Sequence, residues 1–568
     1  MITVDFIPKT QKLALKAGFQ YLDVLRSFPS RRFDPKTKAW LVPLTKLSVA
    51  HLQSLDGRVK LEMSAAAVDA LLDLEKLTSR PIPTPFPRNW FTSESAFQPL
   101  PHQWEMLDKG WGLRGYALFA TMGLGKTFVT IQTAAARHAA GEIDRLAIIC
   151  PATLHNTWER EFTKYDINAT TRRAATSDKY LEDWAKRNPR QLHVLLISVE
   201  GLGISEKYFN AVLPFFMGAR VMAVCDESSR IKSPDAKRTK RAIALADWCA
   251  YRTILNGTPM ALGIQDLWSQ YQFVDPNIIG SGDYWAFKTR YIEMGGYEFK
   301  QIVGYKNVDE LMEMVRPYSL EMGKGVLNLP DKVYKEIAIE PTTVQRALFK
   351  LITHGSGAEG YIKAENVLER MLRLQQVAGG FKPITDIETD ETRVEPLEAN
   401  PKLDALLGII NDHFAGSKFI IWARYVPEIQ LIMRELQRLC GSDSVVSYYG
   451  ETTVDERKEA EYRYCNDPKC RFLVGNPSAA GLGLTLIGGE NDVMIYYSGT
   501  FAYIDRAQSE DRSHRIGQKN TVTVVDLVMP GTIDALIRKA IAAKTDINNW
   551  MKEQLKAGKS LIQLLEEG

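Results

Sequence analysis

Short apolar runs that end at polar loops recur along most of this chain. RLAIICP (145–151), HVLLIS (193–198), RVMAVCDE (220–227) and RTILNGTP (252–259) form one series. KFIIWAR (418–424), SVVSYYG (444–450), RFLVGNP (471–477), DVMIYYS (492–498) and TVTVVDLV (521–528) form a second. Runs of this length, apolar on both faces and separated by helix-length stretches, predict buried parallel strands with working loops at their carboxyl ends. The pattern predicts two consecutive α/β lobes. Residues 275–335 carry few strand signals and predict a helical insertion. The segment from Ile533 predicts a helix and an amphipathic tail.

The first 78 residues read differently. Strand-like and helical patterns alternate at short range, and Asp34-Pro35-Lys36-Thr37 reads as a turn between two strands. A small α+β module is expected there. Repeated prolines in RPIPTPFPRNW (80–90) predict an extended linker at 79–99. The expected order is a module at 1–78, the linker, a first lobe at 100–335, a second at 336–545 and a helical tail at 546–568.

Composition adds one refinement. A hydrophobic share of 45% and a charged share of 24% are those of a globular protein, and 568 residues exceed one core. The net charge of +3 is unevenly placed: residues 1–60 hold 11 basic and 4 acidic side chains. A basic module suits a polyanion, and it equally suits a solvated surface. The six cysteines carry no disulfide or zinc spacing. No apolar run reaches membrane-spanning length and MITVDFIPKT lacks a signal-peptide pattern, so a reducing, intracellular setting without membrane contact is expected.

The chemistry begins at ATMGLGKT (120–127), which follows the strand YALFA and precedes the helix FVTIQTAAARHAA. This is the phosphate-loop pattern with Ala120 in place of its first glycine. Met122, Gly123, Leu124 and Gly125 would wrap the phosphates with backbone N–H groups. Lys126 would reach the β- and γ-phosphates, and Thr127 would ligate Mg²⁺. Asp226 and Glu227 end a later apolar run, where Asp226 can hold the Mg²⁺ water shell and Glu227 can polarise the attacking water. QSEDRSHRIGQ (508–518) places Arg512 and Arg515 one helical turn apart, in a position to stabilise γ-phosphate charge.

Taken in order, these segments resemble the Swi/Snf family of superfamily-two helicase-like ATPases over about 100–545. LPHQ looks like the glutamine motif, so Gln103 would read adenine and Gln508 would join the nucleotide set. CPATLHNTWEREF, LLISVEGL, DESSRIKSPDAKRTKRA, LNGTPMALGIQDLWSQYQFVDP, NPSAAGLGLTL and the R-I-G-Q ending resemble the motifs that follow. The resemblance implies two tandem RecA-like lobes, ATP and Mg²⁺ as ligands, a monomer, and double-stranded or branched DNA as partner. It places Pro151, Thr153, Lys232, Asn476 and Gly481 against DNA. Ser229, Asn256 and the Ala120-Thr121 pair depart from the pattern, which bears on coupling and leaves phosphate binding intact. SFPSRRFDPKTKAWLVPL (27–44) resembles the HARP domain of annealing helicases, adding Arg31, Arg32 and Trp40 to the expected DNA contacts. Three functions remain open at this stage: a duplex translocase that anneals or remodels forks, a strand-separating helicase, and a DNA-structure-binding protein that does not hydrolyse ATP.

Overall fold

The computed structural model describes the chain outside residues 8–11, 29–30, 45, 56, 79–83, 94, 166, 178–180, 187, 189, 258, 261–262, 281–282, 296–300, 328, 355–366, 386–391, 413–416, 480–485, 489–491, 515–517, 519, 545, 548–549, 552–553, 555–560 and 567–568. It divides into two units, Met1–Val326 and Leu327–Gly568.

The first unit opens with a five-stranded sheet in the order Arg32–Asp34, Ala39–Pro43, Lys12–Ala17, Ile2–Ile7, Leu61–Met63. Strict alternation sorts its residues. Ile2, Val4 and Phe6 pair with Ala17, Leu15 and Leu13 on one face, where Leu25, Phe28, Leu52 and Ala67 complete a core. The expected turn is a hairpin: the Asp34 carboxylate accepts from the Lys36 N–H (3.1 Å) and the Thr37 hydroxyl (2.6 Å), and Lys38 takes a φ of 51°. The module is α+β, as the sequence predicts.

The stretch read as an extended linker is docked through Phe86, Arg88, Trp90 and Phe91. Phe86 is buried, and its N–H donates to Asp108 Oδ1 (3.0 Å). Arg88 pairs with Asp108 at 2.6 Å, and the Trp90 indole donates to Gln132 Oε1 at 2.8 Å. Phe91 packs on Trp104 and Phe128 at centroid distances of 5.4 and 6.1 Å. Proline excludes helix here, but the aromatic side chains between the prolines find apolar partners on the helices Pro101–Trp111 and Lys126–Ala139.

The main sheet of this unit has seven parallel strands in the order Ser319–Met322, Gly115–Ala120, Tyr251–Asn256, Val221–Asp226, Arg145–Cys150, Leu192–Ser198, Ala169–Arg173. The inner runs are buried nearly throughout, which is why they show no alternation. The sequence reading missed both edge strands. ATTRR and SLEM are short, polar and half-buried, so neither leaves an apolar run. The region expected to be a helical insertion does hold helices Pro276–Ile279, Tyr284–Tyr291 and Val308–Val315, but it also holds the hairpin Ile292–Gly295 with Gln301–Tyr305 and the edge strand.

The second unit has six parallel strands in the order Lys332–Ala338, Val522–Val528, Asp492–Tyr496, Lys418–Trp422, Phe472–Gly475, Val445–Tyr448. Lys332–Ala338 pairs along its whole length with Val522–Val528. The division between units therefore falls at Val326/Leu327 rather than between 335 and 336.

Buried charge is concentrated in this second unit. The Arg506 guanidinium lies 3.5 Å above the Tyr496 ring, pairs with both oxygens of Asp526 and reaches Glu510 Oε1 at 2.6 Å. Burial raises the Glu510 carboxyl, but Arg506 and Lys332 outweigh it and hold the group down at about 2. Glu428 is in the opposite situation. It is fully buried, and it accepts from the Ser498 hydroxyl (2.6 Å) and the Tyr425 N–H (3.2 Å), while the nearby Lys402 ammonium is committed to Asp534 at 2.6 Å. Burial pushes Glu428 up to about 7 from 4.5, against the pull of Ser498 and Lys402.

The folded state thus keeps a proton on Glu428 that the unfolded chain releases above 4.5. The contribution is present below that value and is lost as pH rises towards about 7. Glu428→Gln keeps both acceptor contacts without the charge. It is expected to stabilise the second unit at pH 8 by roughly 1–3 kcal/mol and to change little at pH 4.5. Calorimetric unfolding at the two pH values checks this; an equal effect at both would refute it.

Candidate functional site: a phosphate loop and an acidic pair at one sheet edge

The carboxyl ends of Gly115–Ala120, Tyr251–Asn256 and Val221–Asp226 are adjacent in the first unit's sheet. Residues 121–125 turn from the first of these strands into the helix Lys126–Ala139. The turn requires two glycines, since Gly123 and Gly125 take φ values of 86° and 87°. Gly125 is also crowded: a Cβ there would meet the Gln103 amide nitrogen at 2.2 Å. That amide donates to the Leu124 carbonyl (3.3 Å), and its oxygen accepts from the Leu100 N–H (3.0 Å). His102 Nε2 also lies 3.1 Å from the Leu124 carbonyl. Gln103, expected on adenine, is seen here as a brace for the loop.

The Lys126 ammonium donates to the carbonyls of Ala120 (2.6 Å) and Thr121 (3.4 Å), so the loop curls over its own strand end. Met122 and Thr127 are half-buried, and Leu124 is buried. Gly257 brings a third strand end beside the loop, its Cβ position 3.8 Å from the Ala120 carbonyl and 3.9 Å from the Met122 nitrogen, an ordinary contact distance. Asn256, on the same strand, is buried.

Asp226 occupies the end of its strand. Its Oδ1 accepts from the Glu227 N–H (3.0 Å) and its Oδ2 from the Trp158 indole (3.1 Å). Burial, reinforced by the Glu227 charge, raises Asp226 to about 6; Lys126 and the indole pull it down. Glu227 has a φ of 53°, a conformation that non-glycine residues adopt at a cost of about 1 kcal/mol or more. The turn that follows is tied to its surroundings. The Ser228 hydroxyl donates to Gln270, the Gln270 amide donates to the carbonyls of Pro259 and Asp266, and Lys232 pairs with Asp266 at 3.4 Å.

The structure therefore brings Lys126, Asp226 and Glu227 to one edge. It distributes the other expected residues differently. Pro151 is buried, whereas Thr153 is exposed in the short turn Ala152–Leu154. Lys232, expected on DNA, is in the ion pair just described. In the second unit, Gln508 lies on the helix Tyr503–Glu510. Arg512 does not lie on it: the helix ends at Glu510, and Arg512 sits in the following turn. It is buried near Tyr448, and its carbonyl accepts from the Leu486 N–H (2.9 Å). Arg515 and Gly481 lie outside the described residues. Asn476 spends its side chain locally, donating to the Arg424 carbonyl (2.6 Å) and accepting from Ser478. Gln518 of the R-I-G-Q ending donates to Asp492 (2.8 Å), a packing role. In the N-terminal module Arg31 donates to the Phe28 carbonyl, Arg32 is exposed, and Trp40 packs against Phe33 at 5.4 Å.

Two residues escaped the sequence reading. Trp158 is buried on the helix His155–Lys164 together with His155 and Phe162. Arg506 is buried, and the i,i+4 spacing to Glu510 is a signal of it that the sequence carries.

Comparison with known proteins places this geometry. Residues 72–379 match the SNF2-related domain, and residues 401–517 match the helicase conserved C-terminal domain. The DNA repair and recombination protein RAD54 of Oryza sativa subsp. japonica is 24% identical over 79% of this chain and 50% of its own length. The SWI/SNF-related matrix-associated actin-dependent regulator of chromatin subfamily A-like protein 1 homolog of Caenorhabditis elegans is also 24% identical, over 93% of this chain and 72% of its own length. A solved Sulfolobus solfataricus SWI2/SNF2 ATPase core in complex with dsDNA is 23% identical, covering 79% of this chain and 91% of that one at a TM-score of 0.35. The chain spans 26% of the length of several of the curated relatives it matches. With its phosphate loop and acidic pair inside residues 72–379, and five of the six strands of its second parallel sheet inside the two matched spans, the chain belongs to the SNF2-related family.

Proposed function

We propose that the protein is a DNA-dependent ATPase that translocates on double-stranded DNA and anneals or remodels branched or fork DNA. The observation that carries the reading is the convergence of Lys126 with Asp226 and Glu227 at the carboxyl ends of a parallel sheet's inner strands, beside a loop that needs two glycines in the left-handed region.

The residues present suit Mg²⁺. Thr127 and Asp226 offer hard oxygen ligands, and burial together with the neighbouring Glu227 charge raises the Asp226 carboxyl. The ion would be held by Thr127 and Asp226 and would supply positive charge at the phosphates. Lys126 would leave the Ala120 and Thr121 carbonyls for the β- and γ-phosphates. The N–H groups of 123–127 would bind phosphate oxygens at the helix N-terminus, and Glu227 would orient the attacking water. Arg512 and Arg515 would stabilise charge on the γ-phosphate.

For DNA, support comes from family membership and from a RAD54 relative whose name specifies repair and recombination. The fork-annealing part rests on the resemblance of residues 27–44 and the basic charge of the first 60 residues. Contacts to phosphates would be sequence-independent and salt-sensitive.

ATP hydrolysis is expected to rise strongly with duplex or fork DNA, and Lys126→Ala is expected to lower it by about a hundredfold or more. Steady-state rates without DNA and with single-stranded, duplex and forked DNA check this. Stimulation by single strands alone would favour a strand-separating helicase, and DNA binding without hydrolysis a structure-binding protein. Arg31→Ala with Arg32→Ala is expected to remove any fork preference while leaving duplex-stimulated hydrolysis, and to reduce the salt slope of fork binding by about one per lost phosphate contact. An unchanged fork preference would count against the N-terminal part of the reading.

A further inference from the structure

Trp158 sits at the join between the loop expected on DNA and the carboxylate expected on Mg²⁺. Its helix, His155–Lys164, follows directly from the turn at residues 152–154. One face of the helix is buried through His155, Trp158 and Phe162, and the other is anchored by Glu159, which pairs with Arg173 of the edge strand. The preceding turn is anchored as well: the Ala152 N–H donates to Glu200 Oε2 (3.2 Å), which also accepts from the Ser198 hydroxyl (2.9 Å). Turn and helix therefore form one braced segment.

A buried indole needs an acceptor for its N–H. Trp158 is 1% exposed, and its Nε1 finds Asp226 Oδ2 at 3.1 Å. The other carboxylate oxygen is held by the N–H of Glu227, the next residue of the same chain. That contact travels with Asp226 itself, so of these two donors only the indole ties the carboxylate to a different element. A shift of the segment at 151–162 would carry the indole with it and turn the carboxylate.

We propose that Trp158 is a positioning residue for nucleotide hydrolysis, through which the seating of the turn at 151–154 sets the orientation of the Asp226 carboxylate. This rests on the functional reading above, in which the turn meets DNA and Asp226 serves the nucleotide's Mg²⁺. It assigns a physical route by which DNA contact reaches the hydrolytic site inside the first unit.

Trp158→Phe keeps a large ring and deletes the donor. The variant is expected to lower the DNA-stimulated kcat by about tenfold or more, with the KM for duplex within about twofold of wild type. The Mg²⁺ concentration for half-maximal binding of a fluorescent ADP, read without turnover, should rise about tenfold. Wild-type DNA stimulation together with wild-type Mg²⁺ dependence would overturn the proposal. Wild-type protein supplies a second test that survives a poorly folding variant. In hydrogen exchange, duplex DNA alone should slow amides near 226–228, and Mg²⁺ with ADP should slow amides near 151–158, because linkage is reciprocal. Absence of both effects would overturn it. If wild-type protein hydrolyses no ATP with any DNA, the functional reading fails, while the Mg²⁺ dependence of ADP binding still decides whether the indole positions Asp226.

Discussion

A carboxylate at the end of a buried strand is the constraint around which the first unit is arranged. Asp226 terminates a strand whose other residues are almost wholly buried, so its charge has lost much of its water. An anion in that position needs donors and cations from its surroundings. The structure supplies an indole from the helix after one neighbouring strand, an N–H from a residue held at positive φ, and the nearby Lys126 ammonium from the loop after another strand. Those three contributions come from three connections at the carboxyl ends of adjacent strands. They meet because parallel connectivity sends every strand out on the same side. Burial and the Glu227 charge still raise the carboxyl against these contacts, and a cation bound beside it would act in the other direction.

Around Arg506 the second unit treats buried charge in the opposite way. Arg506 is saturated by Asp526, Glu510 and the Tyr496 ring, and Glu510 is further held by Lys332 and the Tyr334 hydroxyl. These contacts join the helix Tyr503–Glu510 to the strands Lys332–Ala338, Asp492–Tyr496 and Val522–Val528. A fully paired network fixes the helix from which the chain leaves towards Arg512. Removing one member would strand its partners in low dielectric, so this arrangement specifies geometry more than it adds stability.

Legibility in the sequence followed burial. Strands covered on both faces left continuous apolar runs and were readable one by one. The half-buried edge strands ATTRR and SLEM left none, and the first helical turns of the insertion concealed a hairpin. The docked aromatic strap was misread because proline content reports backbone preference, whereas Phe86 and Phe91 are held by partners more than ten residues away. The phosphate loop and acidic pair were legible because their chemistry is local: glycine for positive φ, lysine for phosphate, carboxylate for a cation.

What the sequence by itself determined is therefore the set of parts: two parallel α/β lobes, a small basic α+β module, and the residues Lys126, Asp226 and Glu227. Those follow from periodicity and from side-chain chemistry that acts within a few residues. Only the tertiary structure decided what each part touches. It turned Gln103 into a brace for the phosphate loop, took Arg512 off its expected helix, committed Lys232 to Asp266 and set the Trp158 indole against Asp226. Each of these depends on a contact between segments distant in sequence, and hydrogen-bond direction across such a gap leaves no periodic trace in the chain.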